Sequence, residues 1–303
     1  MEKIRMQQLI TTCLVPLLFL VFTACGGDDS YSVDPTPNSP NGQASVNQEG
    51  NSYNLKITAS YSQVQVTANV PGLYSFYYSK TENGPYTRYS YLDDNKVVQT
   101  SCNNQFIVKG LTPGTSYYCY IVYGKEKSKV FSFKTKDIDL TSVESSAVKS
   151  SIINSYTDRY GQKQDLSWLG NKYTVSITSN LSNSYRYGVL AIQGVNEETL
   201  TSYINSSFEE NNIHYSTSTS SPYTISINNY PSAINGFWIS EAYDSIMFLV
   251  KLANSKNATS DDYDELDALL NEVKTNTNGL NGLFIRAFVE INGERIYFGK
   301  YWK

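Results

Sequence analysis

Short runs in which apolar and polar residues alternate cover the chain from residue 52 to residue 136. Leu55, Ile57 and Ala59 alternate with polar neighbours, and further runs of the same period follow, separated by turn-forming residues. An alternation of period two is typical of a strand that buries one face. Short strands at this regular spacing predict a β-sandwich over residues 52–136.

A motif near the end of this region points to one sandwich family. The run from residue 108 to residue 122, Val-Lys-Gly-Leu-Thr-Pro-Gly-Thr-Ser-Tyr-Tyr-Cys-Tyr-Ile-Val, closely resembles the link between strands E and F of a fibronectin type III domain. The resemblance implies that Tyr117 is the tyrosine corner, with a buried ring and a hydroxyl bonded to the linker backbone. It also implies that residues 130–135 form strand G. The usual tryptophan of strand B is missing, so we expect aromatic residues such as Tyr77 to fill that volume.

The rest of the chain predicts a connector at residues 137–145 and a second domain at residues 146–303. Two apolar runs near the end flank Asn292-Gly293, which is the preferred two-residue type I′ turn, so this segment predicts a hairpin. The hairpin also resembles the F–G hairpin of fibronectin-like modules. Earlier strands are predicted at residues 172–179, 185–193 and 223–227.

Helical periodicity interrupts the second domain around residues 240–275. Apolar residues recur every three or four positions from residue 261 to residue 274, and Thr259 or Ser260 suits the N-cap position. Residues 241–255 fit a helix or a buried strand, and we favour the helix. The chain is thus predicted to be mainly β: a fibronectin type III-like sandwich, then either a sandwich-like domain with a helical insertion or a distinct α+β fold.

The chain opens with a basic segment followed by an apolar stretch. Lys3 and Arg5 lie in the basic segment, and the apolar stretch extends from residue 9 to residue 23. That stretch is too short to span a membrane comfortably. The pattern predicts that residues 1–24 are a signal peptide.

The apolar stretch ends in Phe-Thr-Ala-Cys, which resembles the lipobox of bacterial lipoproteins. The lipobox usually has leucine where Phe22 stands. The resemblance implies cleavage between Ala24 and Cys25 and attachment of lipid, such as palmitate, to Cys25. A plain secretory signal with an incidental cysteine is the alternative.

The residues after Cys25 suggest where such an anchored chain would lie. Gly-Gly-Asp-Asp-Ser resembles the acidic export signal of surface-displayed lipoproteins, including those of starch-utilisation-type systems. This resemblance implies a lipid-anchored protein of the outer membrane that is exposed at the cell surface, with the periplasmic face as the alternative. Residues 25–51 are rich in Pro, Asn, Ser and Gly and predict a flexible tether.

The net charge and the content of histidine and cysteine bear on whether the chain binds nucleic acid, holds a metal or cofactor, or catalyses a reaction. The 303-residue chain has a net charge of −4 and no basic run, so it has no electrostatic footprint for nucleic acid. With one histidine, His214, and no cysteine pair at metal spacing, we expect no metal site, no cofactor and no catalytic triad. Cys13 lies in the predicted signal peptide, and Cys25 is the predicted lipid-attachment residue. Cys102 and Cys119 then remain, either as a disulfide or, slightly favoured, with Cys119 as a buried free thiol.

Aromatic residues are the remaining indication of a binding site, since the chain has 26 tyrosines and 3 tryptophans. Most of them are expected to lie half in the core, since alternation buries every second strand residue. Trp238 and its neighbour Phe237 follow a turn signal and are the best candidates for an exposed binding site. An Asp-Ser-Ile run at Ser245 matches a short O-glycosylation pattern of the same kind of bacteria, against which a helix would argue.

These observations favour a non-catalytic surface lipoprotein that acts in binding or adhesion, with glycan as a candidate ligand. We expect the recognition surface to lie in residues 146–303, near Trp238. A structural partner in a cell-surface complex or fimbria-like assembly is the alternative. A carbohydrate-active or other hydrolase is the least favoured hypothesis, since the sequence singles out no catalytic pair of carboxylates.

Overall fold

The structure, a computed structural model, describes residues 45–47, 53, 55–93, 96–101, 105–197, 199–206, 208–234, 237 and 239–302. All of them belong to one compact unit from Pro40 to Lys303. The predicted signal peptide, the predicted lipidation site at Cys25 and most of the predicted tether lie outside the described residues. Within the described part, no helix is long and apolar enough to cross a membrane.

The first domain consists of short strands, as the alternating pattern predicts. They are β1 (Ser45–Asn47), β2 (Lys56–Ala59), β3 (Val64–Thr67), β4 (Tyr74–Ser79), β5 (Thr87–Arg88), β6 (Ser90–Asp93), β7 (Lys96–Gln99), β8 (Gln105–Val108), β9 (Ser116–Tyr123), β10 (Glu126–Lys127) and β11 (Phe131–Lys134).

Two packed sheets make up most of this domain. One has the order β1-β2-β3-β8; in the other, β10 and β11 pair with β9, which pairs with β4, which pairs with β5. Apart from the edge strand β1 and the separate β6–β7 hairpin, this is the A-B-E and G-F-C-C′ arrangement of a fibronectin type III sandwich. The predicted fold of the first domain is confirmed by this strand order.

Strand β1 shows that pairing begins within the predicted tether. Ser45–Asn47 runs antiparallel to β2, with Val46 opposite Ile57. Without β1, strand β2 would be the edge of its sheet, with unpaired backbone N–H and C=O groups. Pairing with β1 satisfies those groups, so a strand forms here although the sequence shows no apolar alternation.

The tyrosine corner is present as the sequence predicts. Tyr117 is only 3% exposed, its ring stacks on Phe133, and its hydroxyl accepts a hydrogen bond of 2.9 Å from the backbone N–H of Thr112. The corner ties the link between β8 and β9 to the core.

The expectation that Tyr77 fills the missing tryptophan's volume is wrong. Tyr74 and Phe76 are fully buried, and they pack with Phe106. Successive side chains of a strand point to opposite faces. Tyr77 therefore lies on the outer face of β4, opposite Tyr120 of β9.

In the described part of the second domain there are further strands and three α-helices. The strands are β12 (Glu144–Ser151), β13 (Ser155–Thr157), β14 (Lys163–Asp165), β15 (Asn171–Thr178), β16 (Arg186–Gln193), β17 (Ile213–Tyr215), β18 (Tyr223–Asn229), β19 (Leu283–Ile291) and β20 (Glu294–Trp302). The helices are α1 (Leu200–Ile204), α2 (Ile239–Asn254) and α3 (Ser260–Asn276), and short 3-10 turns lie at Ser167–Leu169 and Glu210–Asn212.

This domain is a sandwich with insertions rather than a distinct α+β fold. Its sheets have the orders β12-β15-β18 and β17-β16-β19-β20. Once the β13–β14 hairpin is set aside, the seven remaining strands follow the same order as the first domain. The two sheets enclose one core, in which Val175, Val189 and Ile285 are fully buried. The predicted final hairpin is also present, with positive φ at both Asn292 and Gly293, as a type I′ turn requires.

Helices α2 and α3 form a hairpin inserted between β18 and β19, where helical periodicity predicts them. Thr259 is the N-cap of α3: its hydroxyl accepts from the Asp262 N–H, and the Asp262 carboxylate accepts from the Thr259 N–H at 2.7 Å. The apolar faces of both helices pack on the β13–β14 hairpin, forming a second core around Tyr156, Ile246 and Leu266.

Polar and apolar contacts pack the two domains together. The Glu294 carboxylate accepts hydrogen bonds from the Ser60 hydroxyl at 2.5 Å and from the backbone N–H groups of Tyr61 and Ser62. Leu92 of β6 joins a small apolar core with Leu200 and Ile204 of α1. Contacts of both kinds, polar and apolar, therefore fix the domain boundary.

Candidate functional site

A cleft of about 690 Å³ lies at the domain boundary. Its walls come from the end of β4, from β5, from the link between β8 and β9, and from α1. We call it the boundary cleft. Clefts between domains are common places for ligand binding, because two rigid bodies enclose more of a ligand than one surface does.

Tyr86 forms an aromatic wall of the boundary cleft. Its ring meets Tyr120 edge-on, with centroids 4.8 Å apart, and its hydroxyl donates a 2.5 Å hydrogen bond to the carbonyl of Glu82. Tyr120 in turn stacks on Tyr77 at 4.9 Å, and the Lys127 ammonium is 3.8 Å from the Tyr120 ring centre. Tyr86 is therefore held in one orientation before any ligand arrives.

Tyr86 and Tyr120 present neutral phenols at physiological pH. Burial raises the pKa of each hydroxyl above its usual value. An uncharged aromatic ring suits the apolar face of a ligand, while its hydroxyl edge suits polar groups.

Two cations, Lys80 and Arg88, also line the boundary cleft. The Lys80 ammonium donates to the hydroxyl of Thr112 at 3.2 Å. The Arg88 guanidinium donates to the hydroxyls of Ser75 at 3.0 Å and Ser101 at 3.2 Å. All of these acceptors are neutral.

The short helix α1 forms another wall of the boundary cleft and contributes Thr201 and Ser202. The hydroxyls of Ser202 and Ser90 are 2.6 Å apart, and the Asn205 side-chain oxygen accepts from the Lys109 N–H at 2.9 Å. These bonds fix α1 against the first domain. The width of the cleft is thereby set by the folded structure.

A second polar cluster at the domain boundary is internally balanced. Glu209 is 2% exposed; its carboxylate pairs with Lys109 at 3.2 Å and with Arg295 at 3.4 Å, and accepts from the Tyr297 hydroxyl at 2.7 Å. The hydrogen bond from Arg295 lowers the pKa of Glu210, so that carboxylate is ionised as well. Each charge has an opposite neighbour, so this cluster stabilises the boundary and leaves little charge for a ligand.

The residues singled out from the sequence for binding do not come together here. Trp238 lies outside the described residues, so the expectation of a site near it stays a prediction. Phe237 is partly buried and packs on the helical core. Ser245 is exposed on α2 next to the fully buried Ile246, so the glycosylation pattern lies within a helix, which argues against modification.

Cys119 is buried and His214 is partly buried. Cys119 is a fully buried free thiol, and burial raises its pKa to about 12, so it stays protonated. Cys102 lies outside the described residues. His214 lines a groove of about 500 Å³ on β17, and burial lowers its pKa, so the ring is neutral at pH 7. In the part of the chain that the structure describes, no group of three or more potential metal ligands occurs.

Exposed apolar side chains are mostly scattered. Met247 and Phe248, 38% and 62% exposed, are adjacent on the outer face of α2. Single exposed apolar residues are normal on protein surfaces, whereas interfaces use contiguous patches of several hundred Å². This pair supports the alternative of a structural partner only weakly.

Comparisons with known proteins bear on the fold alone. No family model matches the sequence, and no curated protein sequence matches it. A solved two-domain fibronectin type III segment of chicken tenascin has 14% identity over 82% of this chain and 97% of its own, with a TM-score of 0.22. The FN1–FN3 domains of chicken CNTN1 have 8% identity over 81% of this chain and 64% of their own, also with a TM-score of 0.22. At such low scores the fold assignment rests on the strand order and the tyrosine corner.

Proposed function

We propose that the protein is a non-catalytic binding protein, anchored to the outer membrane at Cys25, that binds glycan in the boundary cleft. The observation that carries the proposal is the fixed aromatic wall at Tyr86 beside hydroxyl-bearing side chains. A sugar ring has an apolar face and a polar rim. An aromatic ring covers the face, and nearby hydroxyls bond to the rim.

The preorganisation of the boundary cleft supports this proposal. The edge contact with Tyr120 and the bond to Glu82 hold Tyr86, and the bonds of Ser202 and Asn205 hold α1. A site that is already ordered loses less entropy when a ligand binds. The boundary cleft has walls from both domains, whereas the sequence-based expectation placed the recognition surface in residues 146–303 alone.

Replacing Tyr86 with alanine is expected to weaken glycan binding about tenfold or more, the scale of losing one aromatic anchor. The soluble chain from Gly26 to Lys303 would be screened on a glycan array, and the affinity for the best glycan measured by titration calorimetry. Tyr86→Phe keeps the ring and should retain most of the affinity.

Tyr160→Ala is the matched control, because Tyr160 is an 82% exposed tyrosine on the turn between β13 and β14. It should bind like the unaltered chain. Binding that survives Tyr86→Ala unchanged, or no binding to any glycan on the array, would refute a glycan site in the boundary cleft.

The anchor is tested separately, in cells of a lipoprotein-processing bacterium. Cys25→Ser removes the thiol that would accept lipid, so we expect this variant to appear as an unprocessed precursor or as soluble protein. Several acyl chains hold a protein on a membrane stably, since each buried methylene contributes about 0.8 kcal/mol. A variant that still incorporates labelled palmitate and stays with carbonate-washed membranes would show that Cys25 is not the anchor.

A further inference from the structure

We propose that the boundary cleft selects acidic glycans, with Lys80 and Arg88 binding a carboxylate or sulfate group of the sugar chain. This inference rests on the proposed function and adds the chemical class of the ligand. The observation behind it is the unbalanced positive charge within the cleft.

Neither cation has a counter-ion in the described part of the chain. Lys80 and Arg88 take part in none of the ion pairs found among the described residues. No aspartate or glutamate is found among the described residues that line the boundary cleft. The cleft therefore carries two positive charges on a chain whose net charge is −4.

Arg88 shows the imbalance most clearly. Its guanidinium reaches only hydroxyl, amide and carbonyl oxygens, and its Nε–H is buried without a hydrogen-bond partner in the described structure. A guanidinium in a cleft gains most from a planar anion that accepts two hydrogen bonds at once. Arg186 and Arg295 of the second domain, by contrast, already pair with carboxylates.

The surroundings of the cations favour a sugar acid over a simple anion. Tyr86 lies in the same wall, and Thr87 separates it from Arg88 along the chain. Lys80 directly follows β4 and is exposed, and the Thr112 hydroxyl is the acceptor of its ammonium. A uronic acid or a sulfated sugar combines a ring for Tyr86 with an anion for the cations.

Two matched pairs of polysaccharides test the inference: polygalacturonate with its fully methyl-esterified form, and dextran sulfate with dextran. Each pair keeps the sugar backbone and removes the charge, and the two pairs separate carboxylate from sulfate recognition. We expect the soluble chain from Gly26 to Lys303 to bind at least one charged member about tenfold more tightly than its neutral partner. That preference should shrink as salt screens the charges.

Lys80→Gln should reduce binding of that charged polysaccharide about tenfold while leaving the melting temperature unchanged, because Lys80 is exposed. The matched control is Lys163→Gln, because Lys163 is also an exposed lysine and lies on β14. Arg88→Lys keeps the charge but loses the paired donors, and should weaken binding less than Lys80→Gln combined with Arg88→Gln.

The outcomes separate this inference from the proposed function. Neutral glycans that bind as well as charged ones and depend on Tyr86 would leave the glycan site standing and overturn the acidic preference. Charged probes that fail to bind, or that bind Lys80→Gln and Lys163→Gln equally, would also overturn it. If the affinity for a charged polysaccharide is the same with and without Tyr86→Ala, the proposed glycan site is refuted.

Discussion

Replacing Tyr117 with alanine is expected to lower the free energy of unfolding by about 4 kcal/mol. The ring is 3% exposed and stacks on Phe133 with centroids 5.5 Å apart, so its removal leaves a cavity beneath the link between β8 and β9. The backbone N–H of Thr112 also loses its acceptor. Urea unfolding of the chain from Gly26 to Lys303, followed by tyrosine fluorescence and circular dichroism, would measure the loss.

Two variants separate the ring from the hydroxyl. Tyr117→Phe keeps the ring and should cost about 1 to 3 kcal/mol, because a buried N–H is left without a partner. Tyr118→Ala alters the next residue of β9, which is only partly buried on the outer face, and should cost much less. A chain that unfolds at the same urea concentration with and without the Tyr117 ring would show that the corner does not stabilise the domain.

Glu294→Ala is expected to destabilise the chain by about 3 kcal/mol and to uncouple the two domains. Glu294 is 7% exposed, and its carboxylate accepts three hydrogen bonds from the turn between β2 and β3 of the first domain. Without it, the N–H groups of Tyr61 and Ser62 are left at a closed boundary without acceptors. We expect calorimetry to resolve two unfolding transitions for this variant and a single one for the unaltered chain.

Glu144→Ala is the control for this experiment, because Glu144 is an exposed glutamate at the start of β12 in the same domain. It changes the net charge equally and should leave the transition in place. If Glu294→Ala unfolds in the same single transition as Glu144→Ala, then contacts such as those of Leu92 with α1 are sufficient to hold the domains together.

Features set by neighbours in sequence were predictable. The tyrosine corner depends on a short motif, the final turn on the preference of Asn292-Gly293 for positive φ, and the cap of α3 on Thr259 and Asp262. Each reflects a local backbone requirement that few residue types meet. The orientation of β4 was different: Tyr77 and Tyr78 are both aromatic, so the sequence does not say which one faces inward. Packing against Phe106 decides it.

The boundary cleft could not be predicted, because it joins distant parts of the chain. Ser90 and Ser202, whose contact holds its two walls together, are 112 residues apart. Alternation predicts that every second strand residue faces outward, but it carries no information about which other element lies opposite those residues. The charge of Lys80 and Arg88 also looked ordinary in the sequence, since the absence of a counter-ion is a property of the folded surroundings.

The two insertions of the second domain can be exchanged only as a pair. Backbone hydrogen bonds join the two ends of each insertion. For the β13–β14 hairpin, the Ile152 N–H donates to the Gly170 carbonyl. For the α2–α3 hairpin, the Ser232 N–H donates to the Gly279 carbonyl and the Ser232 carbonyl accepts from the Asn278 N–H. Short turns can therefore replace them without moving a sandwich strand. Deleting α2 and α3 alone, however, would leave the apolar side of the β13–β14 hairpin in water, because the two insertions share one core. Any transplant of this module to another sandwich, by recombination or by design, must carry both loops together.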